Sequence, residues 1–339
     1  MKKINTIIIF SFILLGVSTA CKNEPIFAAI EEEVKLKKHT VQGLVSGIVR
    51  IGELVYCANP KNVFVKTVGY TGEWTKIDIP NGMCTSLASD NTDLYATFMG
   101  LGVYKYQNGS WDFILSSSDI AKIVSGVNIV GVDGSNVVWK LNGAQFEKMQ
   151  DSANKDIILG STLQGGGGHY FGDRDSLYSY VTGKGVKLDL PDLKNIKDIC
   201  EGDGAQNVLV LTTSSLFHYD GSSFTSIKHQ VLSPWSLSYS KQKKLALIGG
   251  LQGYKEVQFA SSASLVDSYV IVPGSEGSTT PPSCYNQYNN SVGKWLLRPI
   301  LIIDIPDGYI IYVGVGGADP KYTGLWGFYE KSQHEWNRE

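Results

Sequence analysis

The sequence predicts an all-β protein, a β-propeller of seven four-stranded blades. Three observations carry this. A phrase of apolar strand, turn, aromatic strand and Asn-Gly or Asp-Gly turn recurs along the chain. Its closing residue falls at Trp74, Trp111, Phe146, Val186 and Phe224, at steps of 37, 35, 40 and 38 residues. Composition agrees: 37 Gly, 18 Tyr and 7 Trp stand against 11 Pro, with only 18% charged residues. Such a chain suits many short strands and tight turns, and it excludes disordered and collagen-like classes.

The first residues read as an address. Lys2 and Lys3 precede an apolar run from Ile7 to Val17, broken only by Ser11, then Ser18-Thr19-Ala20-Cys21. A basic start, a short apolar stretch and small residues make a secretory signal over 1–20. The run is shorter than the roughly twenty apolar residues a spanning helix needs. Ser18-x-Ala20 suits ordinary signal peptidase. Val17 to Cys21 resembles the lipobox of bacterial lipoproteins, in its looser spirochaetal form, because Ser18 stands where Leu is expected. That resemblance implies an acylated Cys21 as the mature N-terminus. Cysteine parity favours it: removing Cys21 leaves an even four, Cys57, Cys84, Cys200 and Cys284, in an oxidising compartment.

Residues 21–44 read as the lipidated N-terminus and a tether. Glu31 to Glu33 followed by Lys35, Lys37 and Lys38 has helical i,i+4 charge order. A solvated charged linker explains it equally.

Residues 45–339 divide into units 45–80, 83–115, 118–150, 155–191, 195–228, 231–273 and 295–339. Alternation with period two, as in Gly102-Val103-Tyr104-Lys105-Tyr106 before Asn108-Gly109, marks antiparallel hairpins. An apolar strand precedes each hairpin, for example Ile48–Ile51, Thr85–Ala88, Ile157–Leu159 and Leu237–Tyr239. A four-stranded unit cannot bury both faces alone, so neighbours stack, and a ring of such blades is a propeller. A β-helix is the alternative, but its repeats are shorter. The units resemble, loosely, the repeats of bacterial sensor ectodomains and other periplasmic propellers. With the N-terminus they resemble a spirochaete-type propeller lipoprotein. The resemblance transfers no active site.

Catalytic patterns do not emerge. The five His, at 39, 169, 218, 229 and 334, lack zinc spacing. Gly165 to Gly168 lacks the Gly-Lys-Ser/Thr ending of a phosphate loop and reads as a turn into His169-Tyr170. There is no Gly-x-Ser-x-Gly elbow. Asp133, Asp173 and Asp175 suit turn chemistry as well as a metal mouth. No metal site and no cofactor is expected. A formal net charge of -2 builds no basic field for nucleic acid.

By analogy with other propellers, binding is expected at the face carrying the turns between second and third strands and the connections between blades. Asp173, Arg174, Asp175, Asp319, Lys321 and Tyr322 fall there. So does a long connection, Pro273 to Val292, with Tyr285 and Tyr288 as candidate anchors. A disulfide, if present, is expected between Cys57 and Cys84. Four buried thiols are the alternative. The leading expectation is a membrane-anchored, non-catalytic module for another protein or a surface glycan. A lyase- or lactonase-like enzyme at the channel mouth is the alternative, or an envelope sensor or solute-binding component.

Overall fold

The hairpin signals place the strands. Asn108 and Gly109 both take positive φ, 50° and 82°, between the paired residues Gln107 and Ser110. That is the two-residue turn whose twist matches a hairpin. Asp220 works differently. Its carboxylate accepts the main-chain N–H groups of Ser222 and Ser223, both at 2.8 Å, and folds a four-residue loop.

The computed structural model describes residues 39–69, 72–114, 119–188, 194–204, 206–229, 231–251, 253–259, 269–271, 296–316, 323–330 and 336–339. Blade 1 comprises β1 (Gly47–Ile51), β2 (Leu54–Asn59), β3 (Asn62–Thr67) and β4 (Thr75–Ile77). Blade 2 comprises β5 (Cys84–Ser89), β6 (Leu94–Phe98), β7 (Gly102–Gln107) and β8 (Ser110–Phe113). Blade 3 has β9 (Ile120–Val124), β10 (Val130–Asp133), β11 (Val138–Asn142) and β12 (Gln145–Lys148). Blade 4 has β13 (Gln164–Gly167), β14 (Tyr170–Gly172), β15 (Leu177–Ser179) and β16 (Val186–Leu188). Blade 5 has β17 (Ile196–Glu201), β18 (Val208–Thr212), β19 (Ser215–Tyr219) and β20 (Phe224–Lys228). Blade 6 has β21 (Pro234–Ser240), β22 (Leu245–Gly250), β23 (Gly253–Phe259) and β24 (Tyr269–Ile271). Blade 7 has β25 (Leu296–Ile305), β26 (Gly308–Gly316), β27 (Gly324–Tyr329) and β28 (Trp336–Arg338). Each blade is a simple antiparallel meander of consecutive strands. Together they form a seven-bladed β-propeller.

The core is distributed among the blade interfaces. Alternate residues on β2 show why. Val55 and Cys57 join the core shared with blade 7, while Tyr56 and Ala58 join the core shared with blade 2. Similar apolar layers fill the other five interfaces, such as Trp139 against Tyr95 and Trp326 against Leu247. The first strands of the blades lie innermost and neighbour one another around the central channel.

Blade 4 departs from the sequence reading. Ile157–Leu159 is not its inner strand. Ile157 and Leu159 are buried filler in the interface with blade 3, and the inner strand is Gln164–Gly167. Thus three of the four glycines read as a turn form a strand, and the turn is Gly168-His169. A Cβ on Gly165 would lie 2.4 Å from Asp198 Oδ1, and one on Gly166 would lie 1.8 Å from the Ser125 carbonyl oxygen. Glycine is required because β13 is squeezed between β9 and β17.

Among the described residues, blade 7 meets blade 1 without exchanging a strand. Residues His39 to Gln42 lie against blade 7 instead. Thr40 and Val41 donate N–H bonds to the main-chain oxygen of Glu339, and Leu325 donates to Val41. The Lys66 ammonium, on β3, donates to Glu339 Oε2 and to the Tyr329 hydroxyl, both at 2.7 Å. Trp74 Nε1 donates to the same Oε2 at 2.7 Å, and the Tyr329 hydroxyl donates to Oε1 at 2.6 Å. The pair is buried, so its charges are met by each other and by these donors rather than by water.

Candidate functional site: the upper channel mouth

Six blades carry the same irregularity. Near the start of the inner strand one extra residue opposes the partner strand, a β-bulge, at Thr85, Ala121, Lys197 and Trp235 and within Gly165-Gly166 and Arg298-Pro299. A bulge re-aims side chains. Here the flanking apolar residues stay in the blade interfaces: Ile196 and Ile199 pack with blade 4, and Leu297 and Ile300 pack with blade 6. The intervening pairs, Lys197-Asp198 and Arg298-Pro299, turn to the channel.

These bulges lie at the end of the ring where the turns between second and third strands sit beside the connections between blades. Met99 donates its N–H to the Met83 carbonyl, Leu251 to the Leu232 carbonyl and Ile196 to the Arg174 carbonyl. We call this the upper face.

Three consecutive bulges build a cluster at the upper mouth. Trp235 is 42% exposed. The Lys197 ammonium lies 5.6 Å and the Arg298 guanidinium 4.8 Å from its ring centroid, within cation–π range. Lys122, on β9, faces the same channel and donates to the Leu163 carbonyl. Burial lowers its proton affinity, Arg298 lowers it further, and Asp198 opposes both. Asp198 is enclosed by the ring, although part of its surface opens to the channel. Burial raises its pKa to about 6, against hydrogen bonds from Leu237 N at 2.8 Å and Ile199 N at 2.9 Å. Its oxygens therefore serve the inner strands of blades 5 and 6. Ser86 and Ser238 play the same part, accepting from Ile123 N and Ile302 N of the next blade.

The surrounding upper face carries large apolar side chains in solvent. Met83 is 49% and Met99 60% exposed, beside Leu101 in blade 2, and Leu232 and Leu251 form a second pair in blade 6.

The sequence matches the TP013X lipoprotein family over residues 1–217 and 147–339, and so along its whole length. The chain belongs to this family. Uncharacterized lipoproteins of Treponema pallidum (strain Nichols) are similar to it. One is 27% identical over 99% of this chain and 97% of its own length, and another 25% identical over 96% of each. Solved structures are similar in fold. The WD40 β-propeller domain of Doa1 aligns with a TM-score of 0.57 and 7% identity, over 88% of this chain and 96% of that one. Virginiamycin B lyase from Staphylococcus aureus aligns with a TM-score of 0.55 and 10% identity, over 86% and 96%. At such identities they speak to architecture alone.

In this TP013X-family propeller, the candidate residues fall into two groups. Asp173, Arg174 and Asp175 form the turn between β14 and β15. Asp173 is buried and accepts from Gly160 N at 2.8 Å and Asp175 N at 3.0 Å. Arg174 Nε donates to Asn195 Oδ1 at 2.7 Å. Their polar groups brace the turn against the next connection. Asp133 does likewise in blade 3, accepting from Ser135 N and Trp139 Nε1. Cys21, Tyr285, Tyr288, Asp319, Lys321, Tyr322, Cys284 and the connection Pro273 to Val292 lie outside the described residues.

Cys57 and Cys84 are free thiols rather than a bridge. Cys57 points into the interface of blades 7 and 1, Cys84 into that of blades 1 and 2. Burial pushes the Cys84 thiol up to about 12. Among the described histidines, His39 is buried, bonds the Leu325 carbonyl through Nδ1 and is lowered by burial to about 4. His218 is also buried. No group of three or more His, Cys, Asp or Glu side chains among the described residues converges on a metal-sized site. The Lys197–Trp235–Arg298 cluster escaped the sequence reading. Its signal is an apolar-x-x-apolar start where alternation is broken, as in Ile196 to Ile199 and Leu297 to Ile300.

Proposed function

We propose that this lipoprotein is a non-catalytic docking module, anchored through an acylated Cys21, that binds another protein of the cell envelope at its upper face. The observation that carries the reading is the concentration of exposed Met and Leu side chains there, around a channel mouth ringed by Lys197, Trp235 and Arg298. Apolar side chains held in solvent are costly to a monomer and mark interaction surfaces. Methionine, aromatic residues and arginine are enriched at such surfaces. Acylation by two or more chains would hold the module on a membrane stably.

A photo-crosslinking residue at Met99, in the native envelope, tests the docking face, with one at Lys187 on the outer strand of blade 4 as control. A discrete protein adduct from position 99 alone supports it. Equal adducts from both sites, or none from position 99, refute it. An adduct carrying only carbohydrate would assign the face to a surface glycan. Anchoring is tested separately by labelling with a palmitate analogue, which Cys21→Ala should abolish.

A further inference from the structure

The upper channel mouth gathers three cations against a single described carboxylate, Asp198. Lys122, Lys197 and Arg298 come from blades 3, 5 and 7, and none has a carboxylate within ion-pair distance among the described residues. Several cations elsewhere in the ring are paired, among them Lys66 with Glu339, Lys105 with Asp93 and Lys244 with Asp203. Among the described residues, the carboxylate facing these three is Asp198, which also accepts the main-chain N–H groups of Ile199 and Leu237 and meets three cations with one charge. Bringing like charges together costs free energy, and channel walls of low dielectric concentrate their field. Trp235, 42% exposed, adds an apolar ring surface within reach of both the Lys197 and Arg298 heads. An arginine fork and an ammonium beside an indole face make a receptor for an anion on an organic body.

We propose that the channel mouth formed by Lys122, Lys197, Trp235 and Arg298 binds a small organic anion, its phosphate, carboxylate or sulfate held by the three cations and its apolar body packed on Trp235. This goes beyond protein docking on the surrounding rim and does not depend on it. The anion is either a soluble molecule or the headgroup of a lipid.

The test is titration calorimetry of the purified full chain with phenyl phosphate, inorganic phosphate and soluble dioctanoyl phosphatidic acid. Saturable binding of phenyl phosphate is expected, weakened by added salt. Arg298→Gln and Lys197→Gln should each weaken it at least tenfold. Trp235→Ala should weaken phenyl phosphate more than inorganic phosphate. Lys187→Gln on the outer strand should leave it unchanged. Tighter binding of the phosphatidic acid, by tenfold or more, would identify a lipid headgroup as the source; equal or weaker binding would identify a soluble anion. The inference is overturned if none of the three probes binds saturably, or if they bind equally well to correctly melting Arg298→Gln and Lys197→Gln variants. The crosslinking result at position 99 is independent of either outcome.

Discussion

Gly166 has no room for a side chain, and this decides how closely blades 3 and 4 approach. A Cβ there meets main-chain atoms of Ser125, which have no rotamer to escape into. Gly166→Ala should therefore cost at least about 2–3 kcal/mol, as overpacking against backbone does, read as a lower midpoint in urea. The glycine run was visible in the sequence but its reason was not. Turns and close approaches both select glycine, and only the neighbouring strands distinguish them. Glu256, on β23, gives a second expectation. It is buried, and burial raises its pKa to about 7, with Glu330 adding to the shift. A carboxyl raised in the folded state contributes fully below the unfolded value near 4.5 and loses that contribution as pH rises towards 7. Glu256→Gln should thus match the parent at pH 4 and exceed it at pH 8 by roughly 2–4 kcal/mol. Denaturant melts at the two pH values decide this, and equal gains at both would contradict it. The site residues read from sequence met a related obstacle. Asp173 and Arg174 are charged and near the expected face, yet their polar groups are taken by Gly160 and Asn195, partners fixed only by the fold.

At the scale of the strand, what sequence shows well is alternation bounded by turn residues. The third strands of blades 2, 3 and 5 carry both signals, and each lies where the pattern puts it. Inner strands carry the signal poorly because the bulge inserts two channel-facing residues between core residues. Lys197-Asp198 and Arg298-Pro299 thus look like interruptions, although they build the mouth. In blade 4 the interruption is complete. With no apolar side chain in Gln164–Gly167, the nearest apolar run, Ile157–Leu159, took the strand's place in the sequence reading. The contact of β3 with the chain's last residue yields a prediction at this scale. Glu339→Ala leaves the Lys66 ammonium buried among Trp74, Tyr312 and Tyr329. Loss of one partner of a buried pair typically costs about 3–5 kcal/mol, whereas replacing both with apolar residues of similar volume is often neutral. The double variant Lys66→Met with Glu339→Leu should accordingly recover most of the thermal stability lost by Glu339→Ala. No recovery would show that the hydrogen bonds to Trp74 and Tyr329 matter more than the charge.

For the whole molecule, seven interfaces of similar make-up hold the ring, and none is a core for the rest. The blade count was legible because each blade is one continuous stretch of chain with its own turn signals. The closing contacts were not, since residues 39–42 and 339 carry no pattern of their own. Ending the chain after Ile305 removes β26 to β28 and strips two interfaces at once, including Tyr312, Trp326 and Phe328. Exposed apolar faces and open sheet edges are both unfavourable. The truncated chain should lose cooperative melting altogether. A sharp transition near the parent temperature would show that six blades stand without the seventh.

The absence of a shared strand between blades 7 and 1 also has a mechanical meaning. A chain held by its N-terminal end transmits any pull through His39 into the junction of the first and last blades. The bonds of Thr40 and Val41 to Glu339, and of Leu325 to Val41, are loaded first. A pull from that end is therefore expected to peel residues 39–42 from blade 7 first, while the apolar core between blades 7 and 1 and the Lys66–Glu339 pair still hold the ring closed.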